Sequence, residues 1–235
     1  MSLTGIFPIE RWSFTAHSIL NVLSDEEYAR LLSNQNVQLC PKGDIIFREG
    51  AVPSVVFIIR SGKVKKYKSD RSGKEQIIYV AGEGEMIGYH AVLSEERYPD
   101  SAAALEKTVL SFIPKEDFFE VLNRSPHLTR LLLKALSHEY TVFANNLSVF
   151  AQRTAQERLA IALIVLREKF KNANASGKEP VLNISRADLA NLAGIAKDNV
   201  IRLLKDFKNE GILETEGRKI HVRDVCGLIK KSNYR

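Results

Sequence analysis

The stretch NISRADLANLAGIAKDNVIRLLKDFKNEGIL, residues 183–213, decides the fold of the C-terminal part of the chain. Ser185 followed by Asp188 predicts a capped helix start, and Gly194 predicts the turn that ends this first helix. A second helix is predicted after the turn, because apolar residues recur there at three- and four-residue intervals. These apolar positions are Val200, Leu203, Leu204 and Phe207. Two short helices around a tight turn, the second beginning with polar side chains, are typical of a DNA-reading helix-turn-helix.

The segment ILETEGRKIHVRD, residues 212–224, follows directly. It predicts two short strands around a turn at Glu216 and Gly217, as in the wing of a winged helix-turn-helix. The alternative is a small helical packing module with a basic, solvated face. The capped first helix, the glycine at the turn and the polar start of the second helix agree with one another, so they favour the DNA-binding interpretation.

The charge of the chain is concentrated at its C-terminal end. Residues 1–150 contain 17 Lys and Arg against 18 Asp and Glu, a balance of −1. Residues 151–235 contain 17 against 10, a balance of +7, which accounts for the net charge of +6. A basic C-terminal module predicts a polyanionic partner, although a membrane surface would attract the same charge.

Other features limit where the protein acts. No apolar run approaches the roughly 18 residues that a membrane-spanning helix needs. The first twelve residues, MSLTGIFPIERW, lack the pattern of a signal peptide. The two cysteines, Cys40 and Cys226, are far apart in sequence and predict neither a disulfide framework nor a metal site. We therefore expect a soluble, cytoplasmic protein that does not bind membranes.

Short strands separated by glycine turns are predicted between Val37 and Ile113. The segments with strand composition are DIIF, VVFII, KVKKYK, EQIIYV and TVLSFI. SDRSGK, residues 69–74, is the clearest hairpin turn. The regular spacing predicts a sandwich or a barrel-like roll.

Helical periodicity replaces the strand pattern beyond Pro114. A long helix is predicted at about residues 126–150, with an apolar stripe wider than one contact needs and interrupted by Glu139. Such a helix between two domains predicts a dimer contact; the alternative is that it packs only on its own domain. We expect a first domain at residues 1–150 that includes this helix, and a second at 151–235.

The sequence resembles the family of bacterial transcription regulators that includes the cyclic AMP receptor protein and the oxygen regulator FNR. The motifs that carry the resemblance are KGDIIFREG, VVFIIRSGKVKKY and GEGEMIGYHAVL in the N-terminal half, and AQERLA with the helix-turn-helix in the C-terminal half. The resemblance implies an α+β fold with a cyclic-nucleotide-binding-like β-roll (a jelly roll), a long dimerisation helix and a C-terminal winged helix-turn-helix. It also implies a homodimer that binds double-stranded DNA and contacts RNA polymerase.

The resemblance assigns DNA-binding roles by position. Lys197, Asp198 and Arg202 match the family's base-reading positions. A guanidinium can donate two hydrogen bonds to guanine, a carboxylate can accept from a cytosine amine, and Asn199 is a further candidate for adenine or the backbone. Ser185 and Arg186 match positions that contact the DNA backbone and orient the domain without reading sequence.

The resemblance also marks an effector pocket in which charges are exchanged. Gly88 is present, but Tyr89 occupies the position of the glutamate that binds the ribose of a cyclic nucleotide, and Asp100, followed by Ser101, occupies the position of the arginine that binds its phosphate. An aspartate repels a phosphate, so we expect cyclic AMP not to bind. His90 also lies in this segment, and Arg97 could enter the pocket from an altered loop. An unidentified small molecule, or no effector at all, remains.

Other functions are less well supported by the sequence. Two cysteines are too few for the roughly four thiolates of an iron–sulfur sensor. A haem sensor needs an axial ligand, and the histidines available in the N-terminal half are His17, His90, His127 and His138. We expect no metal or cofactor, and no catalytic constellation indicates an enzyme. The alternative function is a cyclic-nucleotide-binding regulatory module that acts on a protein partner.

Overall fold

The computed structural model describes residues 3, 6–12, 23–171 and 179–234. Those residues contain eight α-helices, eleven strands and a short 3-10 helix at Ile9–Arg11. The helices are α1 (Asp25–Leu31), α2 (Tyr89–Ser94), α3 (Lys115–Arg124), α4 (Pro126–Gln152), α5 (Ala155–Lys169), α6 (Arg186–Ala193), α7 (Lys197–Asn209) and α8 (Val225–Ser232). The strands are β1 (Asn36–Cys40), β2 (Ile45–Phe47), β3 (Val55–Ser61), β4 (Val64–Ser69), β5 (Glu75–Ala81), β6 (Met86–Ile87), β7 (Ser101–Ala104), β8 (Thr108–Pro114), β9 (Val181–Asn183), β10 (Leu213–Glu216) and β11 (Lys219–Val222). The predicted α+β fold class is confirmed.

Two four-stranded antiparallel sheets form the predicted β-roll. Their strand orders are β1-β8-β3-β6 and β2-β7-β4-β5. Apart from β4 and β5, which are consecutive in the chain, the neighbours in each sheet are separated along the chain, as in a jelly roll. The pairing of β4 with β7 sets Lys66 opposite Ala102 and Tyr67 opposite Ser101, so residues far apart in sequence meet at this edge of the roll.

The core of the roll is completed by helices from both ends of the strand region. Val56, Ile58 and Ile113 from the first sheet are buried against Tyr89 of α2 and Phe118 of α3. The first half of α4 adds Leu128, Leu132 and Ala135 to the same core. The apolar side chains of these strands are therefore covered by the helices that pack against the sheet.

The long helix is confirmed and begins where the sequence predicts. Pro126 occupies its first position, where a missing N–H costs nothing, and the Ser125 hydroxyl accepts from the Leu128 N–H at 3.1 Å. The helix is 27 residues long and ends at Gln152. Its other apolar side chains include Tyr140 and Leu147, which are exposed by 76% and 71%.

The C-terminal part of the chain is the predicted winged helix-turn-helix. Helices α6 and α7 form the helix-turn-helix, and β10 and β11 form the wing hairpin around Gly217. A third strand, β9, pairs with β11 and was not predicted, because three residues are too few to show an alternating pattern. Helix α5 precedes this module and starts with a capping box between Thr154 and Glu157.

The described residues divide into two compact units. One contains residues 23–70 and 78–141, and the other contains residues 3, 6–12, 71–77, 142–171 and 179–234. The domain boundary expected at residue 150 stays a prediction. None of the helices in the described part of the chain combines the length and the apolar character that a membrane span requires.

Candidate nucleic-acid interface and effector pocket

Helix α6 is a short brace whose two ends are fixed by local hydrogen bonds. The Ser185 hydroxyl accepts from the Asp188 N–H at 2.9 Å and donates to the Asp188 carboxylate at 2.6 Å. At the other end Gly194 adopts φ +64°, and a Cβ there would lie 2.8 Å from the Phe150 ring. Glycine is therefore required for both the backbone conformation and the space. Leu189, Ala190 and Ala193 form the buried side of the brace.

Helix α7 separates an apolar side from a charged one. Val200, Leu203, Leu204 and Phe207 are buried. At about 100° per residue, the five exposed residues between positions 197 and 205 fall within an arc of about 140° on the other side. These residues, which we call the reading face, are Lys197, Asp198, Ile201, Arg202 and Lys205. Asn199 is half-buried and lies outside this arc.

The side chains of the reading face are held only weakly within the protein. The side chain of Arg202 is 64% exposed, and its nearest carboxylate is Asp206 at 3.8 Å, one helical turn away. Such an exposed pair contributes little to stability, so the guanidinium is free to exchange this contact for another. The residue before the helix is Ala196, whose side chain cannot accept a hydrogen bond from the first N–H groups of α7. The N-terminal end of α7 therefore presents backbone N–H donors, beside the exposed cation of Lys197 and the exposed carboxylate of Asp198.

Arg186 connects the brace to the wing. Its Nη2 donates to the Gly217 carbonyl at the tip of the β10–β11 hairpin, at 2.9 Å. Burial lowers the pKa of this guanidinium, although an arginine stays protonated at any ordinary pH. Beside this turn, Arg218 and Lys219 are exposed. These two wing residues and Ile201 were not predicted as site residues from the sequence; for the wing, the available signal was two consecutive basic residues next to the predicted turn.

Aromatic side chains pack closely around Gly88 in the expected effector pocket. Gly88 adopts φ +81°, and a Cβ there would lie 3.2 Å from the Phe57 ring and 3.4 Å from the Tyr98 ring. Tyr98 in turn stacks on Phe47, with ring centroids 4.1 Å apart. Aromatic rings therefore pack directly against the backbone that opens helix α2.

Tyr89 and His90 are tied to the long helix by one buried carboxylate. The fully buried Tyr89 hydroxyl donates to one oxygen of Glu139, and His90 Nε2 lies 2.5 Å from the other. Burial, and secondarily the Glu139 charge, raises the pKa of Tyr89 far above its ordinary value. The residue that interrupts the apolar stripe of the long helix is thus a hydrogen-bond acceptor for helix α2.

Asp100 forms a buried ion pair within the roll. Lys66 Nζ lies 3.1 Å from the Asp100 carboxylate, and the two side chains are only 5% and 7% exposed. The remaining pocket candidates contact the β2–β3 loop: Arg97 donates to the Gly50 carbonyl at 2.8 Å, and the Ser101 hydroxyl accepts from the Glu49 N–H at 2.9 Å. Each of the five predicted pocket residues with a polar side chain therefore has a hydrogen-bond or ion-pair partner within the protein.

Among the described residues, no three His, Cys, Asp or Glu side chains cluster as metal ligands would. Cys40 is buried, which raises its thiol pKa, and Cys226 is exposed. Of the histidines considered for haem, His17 lies outside the described residues, and the Nε2 of His90 is already engaged by Glu139.

Two family models match the chain, one for each part of this architecture. Residues 37–125 match the cyclic nucleotide-binding domain, and residues 157–231 match the Crp-like helix-turn-helix domain. The chain is 32% identical over 190 residues to the transcriptional activator protein Anr of Pseudomonas aeruginosa, covering 80% of this chain and 78% of that protein. The chain belongs to the CRP/FNR family of transcription regulators.

Further comparisons agree with membership of the CRP/FNR family. The transcriptional activator protein FnrA of Stutzerimonas stutzeri is 33% identical over 187 residues, covering 80% of this chain and 76% of that protein. The structure of FixK2 from Bradyrhizobium japonicum has the same fold, with a TM-score of 0.73 and 21% identity over 83% of this chain and 96% of that one. Members of the CRP/FNR family are DNA-binding transcription regulators, not enzymes, as expected from the sequence.

Proposed function

We propose that this CRP/FNR family protein is a homodimeric, sequence-specific transcription regulator that binds double-stranded DNA without needing cyclic AMP. The observation that carries the proposal is the reading face of α7, whose exposed charges have no strong partners in the protein. The protein would act on DNA in the cytoplasm and would contact RNA polymerase there.

The proposed DNA contacts follow from side-chain chemistry. In the major groove Arg202 can donate two hydrogen bonds to guanine O6 and N7, and Asp198 can accept from a cytosine amine. Lys197 at the helix start can bind a guanine or a phosphate, and Asn199 serves the adjacent backbone or an adenine. Beside the groove we propose phosphate contacts that orient the domain. The residues that make them are Ser185 and Arg186, together with Arg218 and Lys219 of the wing. These lysines and arginines account for part of the +7 balance of residues 151–235.

The proposed dimer is supported by a heptad pattern on the long helix. Leu133, Tyr140 and Leu147 recur every seven residues and are exposed by 61%, 76% and 71%. Leu136 and Phe143 follow the first two by three residues, which completes the alternating three- and four-residue spacing of a coiled-coil contact. Glu139 does not interrupt this stripe, because it points to Tyr89 and His90 instead.

Independence from cyclic AMP is supported by the buried ion pair in the roll. The phosphate of a cyclic nucleotide needs an unpaired cation, and here the carboxylate of Asp100 already holds Lys66 at 3.1 Å. At the position where a carboxylate would bind the ribose, this chain has Tyr89, and its hydroxyl already donates to Glu139. Any effector of this protein would therefore be a different small molecule.

The proposal is tested by selection from a randomised duplex library with purified, ligand-free protein at a stated salt concentration. Enrichment of a palindromic site supports a dimeric sequence reader, because two-fold protein symmetry is matched by two-fold symmetry in the operator. If no sequence is enriched, the proposal is wrong in this form, and a regulatory module that acts on a protein partner becomes the better explanation.

Replacing Arg202 by alanine is expected to weaken binding to the selected site and to relax preference at one base pair per half-site. Loss of a bidentate guanine contact costs about 1–3 kcal/mol of discrimination, or roughly 5- to 150-fold. The measurement is a fluorescence anisotropy titration of the selected site and of variants substituted at each position in turn.

Arg186→Ala is the matched comparison for Arg202→Ala. A residue that contacts only the DNA backbone should, when removed, weaken binding to specific and random DNA alike and lower the slope of log affinity against log salt by about 1 per subunit, or about 2 for the dimer. If the two alanine variants affect specific and random DNA equally, the division between base-reading and backbone-contacting residues is contradicted.

A further inference from the structure

Ile201 is an exposed aliphatic side chain in the middle of an otherwise charged surface. It is 51% exposed, whereas the other branched aliphatic residues of α7 are at most 4% exposed. Burial of an isoleucine side chain is favourable, so exposing one where a polar residue would fit gives up stabilisation. The fold does not need an apolar residue here, because the buried side of the helix is already complete.

The surroundings of Ile201 indicate what covers it. Lys197 and Lys205 lie one turn before and one turn after it on the same side of the helix, and Arg202 follows it directly. All three cations are exposed, and Asp198 is the single acidic member of the reading face. An apolar protein or lipid surface would have to desolvate these cations, whereas the edge of a DNA groove is flanked by phosphates that neutralise them.

The major groove offers one apolar group, the C5 methyl of thymine. An isoleucine has no hydrogen-bonding group, so against any other base edge it would cover donors or acceptors without replacing their water. We propose that Ile201 is a specificity-determining residue that packs against the methyl group of a thymine next to the base pair contacted by Arg202. The inference rests on the proposed function, since it takes α7 to be the helix that enters the groove.

The test removes the thymine methyl group from the DNA as well as the Ile201 side chain from the protein. Each thymine of the selected operator is replaced in turn, symmetrically in both half-sites, by deoxyuridine, which differs only by that methyl. Affinities are measured by anisotropy for the wild-type protein, for Ile201→Ala and for the control Val181→Ala. Val181 is also exposed, by 38%, but lies on β9, away from the reading face.

Replacing one particular thymine in each half-site by deoxyuridine is expected to lower the affinity. Losing one buried methyl corresponds to about 4-fold in affinity per half-site, and so about 15-fold for the symmetric operator. The Ile201→Ala protein should bind the thymine operator more weakly and should not distinguish it from the deoxyuridine operator. The Val181→Ala protein should behave like the wild type, and all three proteins should share one unfolding midpoint within error.

Two results would overturn the assignment. If no single deoxyuridine change weakens wild-type binding, no thymine methyl is contacted. If Ile201→Ala binds more weakly but keeps the full sensitivity to deoxyuridine, the methyl is contacted by another residue. Either result leaves a sequence-specific operator in place, whereas failure to select any operator contradicts the proposed function itself.

Discussion

A protein carrying glutamate at both Tyr140 and Leu147 is expected to sediment as a monomer and to bind its palindromic operator about 10³-fold more weakly than the wild type. In the proposed dimer these side chains face their equivalents across the two-fold axis. The double variant would therefore place four carboxylates in an apolar contact from which water is excluded. A single subunit can reach only one half-site, which moves its affinity towards that of non-specific binding.

The control for this change lies one residue along the same helix. Thr141→Glu with Ser148→Glu adds the same charge at two exposed positions that the heptad pattern assigns to the outer side of the helix. This control should remain dimeric and bind DNA like the wild type. Sedimentation velocity and anisotropy titrations distinguish the outcomes; equal behaviour of both double variants would contradict the assignment of the dimer contact to this face.

Replacing Lys66 by methionine is expected to lower the free energy of unfolding by about 3–5 kcal/mol. The variant leaves the Asp100 carboxylate in a site that is only 7% exposed, without the cation that lies 3.1 Å away in the wild type. Adding Asp100→Asn to the same protein removes the unpaired charge and should restore most of the loss. The free energy of unfolding is measured by urea unfolding at neutral pH, from the midpoint and slope of the transition.

Lys68→Met is the comparison on the same strand. Lys68 pairs with Glu49 at 3.0 Å, but both side chains are about half exposed, and such a surface pair contributes about 0–1 kcal/mol. If Lys66→Met and Lys68→Met destabilise the protein equally, the buried pair does not hold the roll together, and the argument that it replaces a ligand phosphate is lost.

The helix-turn-helix was predictable from the sequence because its determinants are local. Ser185 caps the first helix through a residue three positions later, and Gly194 ends it in a conformation that glycine adopts readily. The apolar spacing from Val200 to Phe207 is the spacing of one helix face. Each of these relations spans at most eight residues, so they can be found by reading a single sequence in order.

The pocket was predictable only in part, because its contacts depend on strand register. The sequence indicates that an aspartate at position 100 repels a phosphate, but it does not indicate that Lys66 neutralises it. That pairing follows from the alignment of β4 with β7, which brings the two residues together across 34 positions of the chain. The same holds for Glu139, which interrupts an apolar stripe in sequence and in the structure is buried as the acceptor of Tyr89, 50 positions away.

The role of Ile201 was not predictable from the sequence for a different reason. The periodicity of α7 places it away from the apolar side of the helix, but its exposure depends on what the rest of the domain covers. Only the packed module shows that an aliphatic side chain is left among cations on the reading face. An exposed apolar residue becomes informative once the buried side of its helix is known to be complete.

The most direct test of the account is the affinity of the purified protein for its selected palindromic duplex, measured by anisotropy at one salt concentration with and without cyclic AMP. We expect tight binding in the absence of any nucleotide, in the range of about 10⁻⁸ to 10⁻¹¹ M, and no change when cyclic AMP is added. Binding that appears only with cyclic AMP would contradict the interpretation of Tyr89, Asp100 and Lys66 as side chains whose polar groups are already paired within the protein.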